Sequence, residues 1–302
     1  MKKVHFLSLT ILMFFGIVSC DETTKAKRVV IIGLDGFSVE GFQTAKHPNL
    51  DKLLADGVLS LNTRTVMPSV TLPNWTSHLT SGGPEQHGVV DNGWKIDDHK
   101  LPPIEIDGAG YYPSIFKILK EQIPEVKTAY YYNWSSLINS INKEYLDEHN
   151  FEENDEYSIN YGKAFDFIVK NQANPSLVFL YSVHIDHAGH NHKWMSPQYI
   201  TAIEEVDVKI GELIGKLKAE GLYEDTNFLL ITDHGGIGNG HGGVSVREME
   251  VPWAITGPGI RKGKLEEPNS NANTAMVIST MFGCKDTPKS WIGNVPQSIF
   301  EK

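Results

Sequence analysis

The segment VHIDHAGHNHKW (residues 183–194) concentrates the residue types that bind divalent metals. Asp186 and His190 are four positions apart, so on a helical turn both side chains lie on the same face. The same segment contains three further histidines: His184, His187 and His192. Spacing alone does not choose among these ligands, and a solvated loop is the alternative interpretation of such a segment taken by itself.

A second segment, TDHGGIGNGHGG (residues 232–243), supplies Asp233, His234 and His241 among glycines. Glycine lets the backbone approach a site closely because it has no Cβ. Carboxylate and imidazole ligands without cysteine favour Zn²⁺, with Mn²⁺ as the alternative. Two such groups of ligands would form a two-metal site of the kind that clamps an in-line displacement at phosphorus.

A candidate nucleophile lies in SVTLPNWTSHLTSG, residues 69–82. Thr71 stands where this stretch enters a predicted helix, and Ser or Thr at such a position usually caps the helix. A hydroxyl acts as a nucleophile only when something activates it, and a bound metal ion lowers its pKa enough to do so. Thr71 is therefore expected to be a nucleophile if the Asp and His residues come close to it, and a helix cap if they do not.

Three apolar runs end at the candidate ligands. KRVVIIGLDG ends at Asp35, SLVFLYSV leads into HIDHAGH, and TNFLLIT ends at Asp233. TAYYY and VPWAITGPG predict further strands, whereas HPNLDKLLADG, YYPSIFKILKEQI and YITAIEEVDVKIGELIGKLKAEG predict helices. This alternation predicts an α/β fold with a doubly wound, mostly parallel central sheet flanked by helices. Ligands of such sheets bind beyond the carboxyl ends of the strands, where the three runs place these residues.

We expect a single domain over residues 28–302, because no repeat, low-complexity tract or linker interrupts it. The polar stretch 133–161 is a possible insertion over one face. Hydrophobic residues make up 40% of the 302-residue chain and charged residues 21%, which is ordinary for a globular protein. A formal net charge of -10 argues against a nucleic-acid partner, because binding to the phosphate backbone needs a basic surface.

The N-terminus has the pattern of a targeting segment. Two lysines precede an apolar run that is short for a membrane span, which predicts a signal peptide over residues 1–19. The residues before Cys20 resemble the lipobox of bacterial lipoproteins, which implies lipidation of Cys20 and a tether over residues 20–27. We therefore expect an exported bacterial lipoprotein, periplasmic or at the cell surface, that contacts the membrane through its lipid anchor only. A plain secretory signal is the alternative.

Several motifs together resemble the alkaline phosphatase superfamily, and within it the type I phosphodiesterase/nucleotide pyrophosphatase branch. They are IGLDGF, HPNLDKLLADGV, MPSVTLPNWTSHLTSGGPEQHGVVDN, DHAGH, ITDHGG and VPWAITGPGI. The resemblance runs from Arg28 to TPKSWIG near the C-terminus. It implies an alkaline phosphatase-like fold and a hydrolase that uses two divalent metal ions, zinc or alternatively manganese.

The resemblance also implies roles for individual residues. Thr71 would be the nucleophile and a ligand of the second metal, and Asn92 would contact a phosphate oxygen together with the Thr71 amide. The remaining metal ligands would be Asp35, Asp233 and His234 for the second metal and Asp186, His190 and His241 for the first. By the same pattern His184, His187 and His192 are not direct ligands, and Asn74 caps or supports the turn.

Two departures from the family pattern bear on the substrate. Nucleotide pyrophosphatases of this family carry a long segment between the Asp-His pair and the last His ligand, whereas only residues 235–240 separate His234 from His241 here. The element that often contributes to the nucleotide pocket is therefore missing or placed elsewhere. Sulfatases use a Cys/Ser-x-Pro-x-Arg motif, which the sequence around Thr71 lacks, so sulfatase activity is not expected as the main reaction.

The resulting hypothesis is a phosphodiesterase/nucleotide pyrophosphatase-like hydrolase that cleaves a small phosphate ester through a covalent phospho-Thr71 intermediate. A phosphomonoesterase or a phosphonate hydrolase of the same fold is the alternative. A non-catalytic binding lipoprotein belongs to a different class and is disfavoured, because every expected nucleophile and ligand position carries a competent residue. Phosphoglycerol and phosphoethanolamine transferases usually carry several membrane helices before the catalytic domain, which this chain does not show.

Overall fold

A computed structural model describes residues 25–301. The predicted signal peptide, Cys20 and most of the predicted tether lie outside the described residues. The described strands are β1 (Arg28–Leu34), β2 (Val58–Arg64), β3 (Lys127–Tyr132), β4 (Glu148–Phe151), β5 (Ser176–Ser182), β6 (Thr226–Ile231), β7 (Glu250–Thr256) and β8 (Gly263–Lys264). The described α-helices are α1 (Val39–Thr44), α2 (Pro48–Leu54), α3 (Thr71–Thr80), α4 (Pro84–His87), α5 (Ile115–Gln122), α6 (Tyr157–Lys170), α7 (His184–His192), α8 (Pro197–Ala219), α9 (Val246–Met249) and α10 (Thr274–Met281).

The described strands form one sheet in the order β4-β3-β5-β1-β6-β7-β2-β8. Strands β4, β3, β5, β1 and β6 run parallel to one another, whereas β7 is antiparallel to both β6 and β2. The predicted α/β fold with a mostly parallel sheet flanked by helices is confirmed. Strand β7 makes the sheet mixed, and β2 beyond it is a strand that the sequence did not predict.

The central strands are buried on both faces because helices cover each side, as parallel sheets require. Every residue of β1 is buried, and successive side chains point into different apolar clusters. Val29 and Ile31 pack in one cluster with Trp75, whereas Val30 and Ile32 pack in the other with Tyr199. The sheet is therefore a rigid layer whose strand ends hold fixed positions.

The stretch 133–161, predicted as a possible insertion, contributes an element of the sheet itself. It contains 3₁₀ turns at 135–140 and 143–145, followed by strand β4, which extends the sheet beside β3. Its last residues begin helix α6, which packs on β3 and β5. Among residues 25–301, no helix is both long and apolar enough to cross a membrane.

Candidate metal centre and nucleophile

The candidate ligands come from three neighbouring strands, as the sheet order places β5 and β6 on either side of β1. Asp35 directly follows β1, and its backbone amide donates to the Ser182 carbonyl at the end of β5 (3.0 Å). Strand β5 then leads into α7, which carries Asp186 and His190. Asp233 follows β6, whose register with β1 brings the two strand ends level. The sheet therefore delivers these side chains to a single edge.

Asp35, Asp233 and His234 form one candidate metal group, here called the inner group. All three side chains are completely buried. His234 Nε2 lies 3.0 Å from Asp233 Oδ2 and 3.5 Å from Asp35 Oδ1. Thr71 Oγ1 lies 3.3 Å from the same nitrogen, so the predicted nucleophile faces this group.

The two carboxylates of the inner group each commit one oxygen to hydrogen bonds and leave the other free. Asp35 Oδ2 accepts from Tyr181 Oη and from Trp75 Nε1 (3.4 Å), and Asp233 Oδ1 accepts from the Gly36 amide (3.1 Å). Asp35 Oδ1 and Asp233 Oδ2 are buried without a hydrogen-bond partner. Leaving buried carboxylate oxygens unpaired is costly, and a bound cation would remove that cost.

Asp186, His190 and His241 form the second candidate metal group, here called the outer group. The Nε2 atoms of His190 and His241 lie 3.4 Å and 3.9 Å from the Asp186 carboxylate. Asp186 Oδ1 is a further buried oxygen without a hydrogen-bond partner. The His190 side chain is 41% exposed, whereas those of Asp186 and His241 are largely covered.

Each histidine of the two groups is held by its Nδ1 atom. Nδ1 donates to a backbone carbonyl: His234 to Gly235 (2.9 Å), His190 to Asn239 (2.8 Å) and His241 to Ser69 (3.0 Å). With the proton on Nδ1, the Nε2 lone pair is left for a metal, an arrangement common among metal-binding histidines. The rings of His234 and His241 stack with centroids 3.6 Å apart, so the two groups adjoin. The donor set therefore fits two divalent cations.

Burial and mutual repulsion shift the pKa values of these acids. The pKa of Asp35 is raised well above its usual value by desolvation and then by the charges of Asp233 and Asp186. Desolvation also raises the pKa of Asp186. Desolvation and, after it, the charge of the adjacent His234 lower the pKa of His241 to about 4. The edge thus concentrates acidic groups that a cation would keep ionised.

Thr71 is not the helix cap that its sequence position allowed. The residue in the N-cap position of α3 is Val70, and Thr71 is the first helical residue. Its hydroxyl is therefore directed at His234 and is not used to cap the helix.

Asn92 lies beside the start of α3 with a defined orientation. Its Oδ1 accepts from the Leu72 amide (2.8 Å), which fixes the amide so that Nδ2 is the free end. A donor at this position, next to the positive end of a helix, suits a phosphate oxygen. The loop that carries Asn92 is linked to α3 through His87, whose Nδ1 accepts from the Val89 amide (3.0 Å) and whose Nε2 donates to Ser77 Oγ (3.0 Å).

Asn74 supports the turn before α3 and does not enter the site. Its Oδ1 accepts from the Val66 amide (2.8 Å), and its Nδ2 donates to the Pro68 and Val70 carbonyls (3.0 Å each). Asn271 Nδ2 bridges Asn74 Oδ1 and the Asp233 carbonyl, which connects this turn to the inner group.

The other histidines of α7 lie away from the two groups. His184 Nε2 pairs with Glu205 (2.8 Å), and His187 Nδ1 pairs with Asp155 (2.6 Å). These residues and His192 line an open cavity of about 500 Å³ between α7 and α8. They therefore join neither candidate metal group.

Trp194 is a site-supporting residue that the sequence analysis did not assign. It is buried, and its ring contacts His190 and His241 edge-on, with centroids 5.3 Å and 6.0 Å away. A Cβ on Gly189 or Gly236 would lie 2.8 Å or 2.3 Å from this ring. The two glycines of DHAGH and DHGG are the sequence signal for this close packing. Trp75 and Trp94 are buried as well, so none of these three indoles is open for stacking on a substrate.

Comparison with known proteins places the chain in one family. A profile described as type I phosphodiesterase / nucleotide pyrophosphatase matches residues 29–248. Ectonucleotide pyrophosphatase/phosphodiesterase family member 3 of Rattus norvegicus is 27% identical over 224 residues, which cover 72% of this chain and 26% of that protein. Bis(5'-adenosyl)-triphosphatase ENPP4 of Pongo abelii is 24% identical over 243 residues, which cover 75% of this chain and 52% of the relative. The chain thus spans between a quarter and a half of these relatives.

Solved structures share the fold. Murine ectonucleotide pyrophosphatase / phosphodiesterase 5 matches with a TM-score of 0.73 and 15% identity, covering 86% of this chain and 96% of that one. The lipoteichoic acid synthase LtaP from Listeria monocytogenes matches with a TM-score of 0.66 and 19% identity, covering 89% and 75% of the two chains. At these identities the matches establish a common architecture only.

Proposed function

Because the chain belongs to the type I phosphodiesterase/nucleotide pyrophosphatase family, we propose that it is a metal-dependent phosphodiesterase of small phosphate esters with Thr71 as its nucleophile. The observation that carries the proposal is the position of the Thr71 hydroxyl, 3.3 Å from His234 Nε2 at an edge where three buried carboxylates leave oxygens unpaired. Fold and family alone would not assign a nucleophile, since the same fold hosts different reactions.

Two divalent cations, most simply zinc, would be held by the inner group with Thr71 and by the outer group, and would supply the positive charge that acidifies the hydroxyl and neutralises the phosphate. Thr71 Oγ1, having lost its proton to solvent, attacks phosphorus as the bond to the leaving alcohol breaks. Asn92 Nδ2 donates to a non-bridging oxygen and opposes the charge that develops there. Water then cleaves the phospho-Thr71 ester and restores the hydroxyl.

The arginines support a diester over a monoester substrate. A monoester dianion carries one more charge than a diester and is commonly bound by a guanidinium fork. Each arginine of the chain is engaged elsewhere: Arg28 with Thr226, Arg64 with Glu250, Arg247 with Glu40 and Arg261 with Glu266. A phosphomonoesterase or phosphonate hydrolase is the second candidate, with Lys95 near Asn92 as the available cation.

The short segment 235–240 supports a small substrate. Its Gly238 and Asn239 carbonyls accept from the Trp194 amide (2.8 Å) and from His190 (2.8 Å), so the segment is held beside the outer group. Two relatives are named as acting on nucleotides, and one solved murine structure contains AMP. Nucleotides are therefore the first substrates to test, together with simpler diesters.

We also propose export and anchoring through a lipid at Cys20, on the N-terminal pattern alone. In that setting the substrate would be a small extracytoplasmic phosphate ester.

The test is hydrolysis of bis-p-nitrophenyl phosphate and p-nitrophenyl phosphate by purified protein of known metal content. We expect about two metal ions per chain, a preference for the diester, and loss of activity by about 10³-fold or more in Thr71→Ala with metal content retained. Thr80→Ala is the matched control, because it removes a buried hydroxyl from the same helix. Among the described residues, this hydroxyl donates only to the Thr76 carbonyl. Preference for the monoester would favour the second candidate. Metal-free, inactive wild-type protein would leave a non-catalytic binding lipoprotein as the better explanation.

A further inference from the structure

Asp35 is the carboxylate of the inner group whose orienting hydrogen bonds all come from side chains. Asp233 Oδ1 accepts from the Gly36 backbone amide (3.1 Å), which no side-chain substitution removes, and at a longer distance from Thr232 Oγ1 (3.5 Å). Asp35 Oδ2 instead accepts from Tyr181 Oη and Trp75 Nε1. With both donors on Oδ2, Oδ1 is the oxygen that faces His234, 3.5 Å from its Nε2.

Three features of the sheet bring these donors to Asp35. The register of β1 with β5 pairs Gly33 with Tyr181, two residues before Asp35. Because Gly33 has no side chain, the Trp75 ring occupies the space above it, where a Cβ would lie 2.9 Å from the indole. Trp75 and Tyr181 pack edge to face with centroids 5.3 Å apart. Trp75 and Tyr181 therefore pack against each other while both donate to the Asp35 carboxylate.

Both donor residues are buried, and Tyr181 contributes its hydroxyl to no other hydrogen bond among residues 25–301. A buried tyrosine hydroxyl needs a partner, and a phenylalanine would fill the same space without one. The hydroxyl is thus explained by Asp35, not by packing.

We propose that Tyr181, braced by Trp75, is a positioning residue that holds Asp35 in the rotamer that binds metal at the inner group. The inference rests on the proposed function only in that the inner group binds a metal. Without the Tyr181 donor, only the longer hydrogen bond from Trp75 Nε1 (3.4 Å) orients the carboxylate, which must then be reoriented more often when the cation binds. Loss of hydrogen bonds that support a metal ligand lowers metal affinity by roughly 10–100-fold.

The test is titration of metal-free protein with Zn²⁺ in competition with a chromogenic chelator. For Tyr181→Phe we expect one of the two binding steps to weaken by about 10–100-fold and the other to stay unchanged. The matched control is Tyr130→Phe, which removes a buried hydroxyl from the same apolar cluster. Within residues 25–301 this hydroxyl donates only to the Leu137 carbonyl (3.3 Å). At saturating Zn²⁺ the Tyr181→Phe protein should recover activity to within a few-fold of wild type.

Equal Zn²⁺ affinities for Tyr181→Phe and Tyr130→Phe would overturn the inference. Denaturant unfolding of both variants in the presence of a chelator separates a positioning role from a structural one. If Tyr181 only positions Asp35, the two metal-free variants should have the same unfolding midpoint. If Tyr181→Phe does not fold, Trp75→Phe removes the second donor from Asp35, and its Zn²⁺ affinity and unfolding midpoint are compared with those of Tyr130→Phe in the same way. Wild-type protein that binds two ions but hydrolyses neither ester would refute the proposed function and leave this inference standing.

Discussion

The two metal groups are built from the same residue types but by different parts of the fold. The inner group lies on the ends of β1 and β6, where strand register fixes the backbone and every side chain is buried. The outer group lies on α7 and on the segment that ends at His241, and part of it is open to solvent. Its histidines are held by single hydrogen bonds to loop carbonyls. A ligand set on the ends of buried strands is thus preorganised by the core, whereas one on a helix and a loop depends on a few hydrogen bonds to other loops.

Substituting one ligand from each group should show the largest difference. We expect Asp233→Asn to reduce phosphodiester hydrolysis by about 10³-fold or more, without recovery in added metal, because the inner group also faces the nucleophile. His190→Ala should lose about 10²-fold and recover partly in excess Zn²⁺, since water can replace a half-exposed ligand. Steady-state rates across a Zn²⁺ series measure both effects.

His192→Ala is the control for this pair, because His192 is an exposed residue of α7 that lies outside both groups. Full rescue of Asp233→Asn by added metal would contradict the distinction between the groups.

Chelation should remove the two metals in a fixed order. The outer group is more exposed, so its ion should transfer to a chelator first. We expect its release rate to be about 10-fold or more higher than that of the inner ion, a ratio similar in size to the effect that residues supporting metal ligands have on metal affinity. Stopped-flow release of Zn²⁺ to a chromogenic chelator should show two phases, and only the slow phase should persist in His190→Ala. A single phase in the wild type would mean that the groups behave as one site.

A substitution that crowds Trp194, whose ring packs against the outer group, should act through packing alone. Gly236→Ala would place a Cβ 2.3 Å from the Trp194 ring, so the ring that supports His190 and His241 must move. We expect a loss of roughly 1–3 kcal/mol in the free energy of unfolding and weaker binding of the outer metal. Gly240→Ala, in the same segment, meets no atom within 4 Å and should be neutral in both denaturant melts and metal titration.

The last prediction concerns a buried histidine that has no carboxylate beside it. His87 is as deeply buried as His234 but has no acidic partner, and desolvation lowers its pKa to about 3. The unfolded chain binds a proton at this histidine below its usual pKa of 6.5, whereas the folded protein stays neutral until about pH 3. Stability should therefore fall as pH drops between these values, by up to about 1.4 kcal/mol per pH unit from this residue.

Unfolding free energies measured at a series of pH values should show a shallower acid slope for His87→Gln than for wild type. His149→Gln, at an exposed position of β4, should leave the slope unchanged. An unchanged slope in His87→Gln would mean that the unfolded chain gains no proton at this site relative to the folded one.

The ligands at the strand ends could be predicted from the sequence, because apolar runs that end in Asp or Asp-His predict both a strand and the position of its end. Asp35, Asp233 and His234 follow from that rule, and the i, i+4 spacing pairs Asp186 with His190. The same rules did not predict β2 or β4. Strand β2 pairs antiparallel with β7, and β4 is a short edge strand within a polar stretch.

The sequence alone determined the residue types, the alternation of strands and helices and the candidate ligands, because these depend on local patterns of polarity and spacing. Only the tertiary structure decided the division into a buried and a half-exposed group, the orientation of each imidazole and the carboxylate partners of His184 and His187. It also decided that Tyr181, Trp75 and Trp194 surround the ligands. These are contacts between residues far apart in the chain, and they are fixed by strand order and register, which no local pattern encodes.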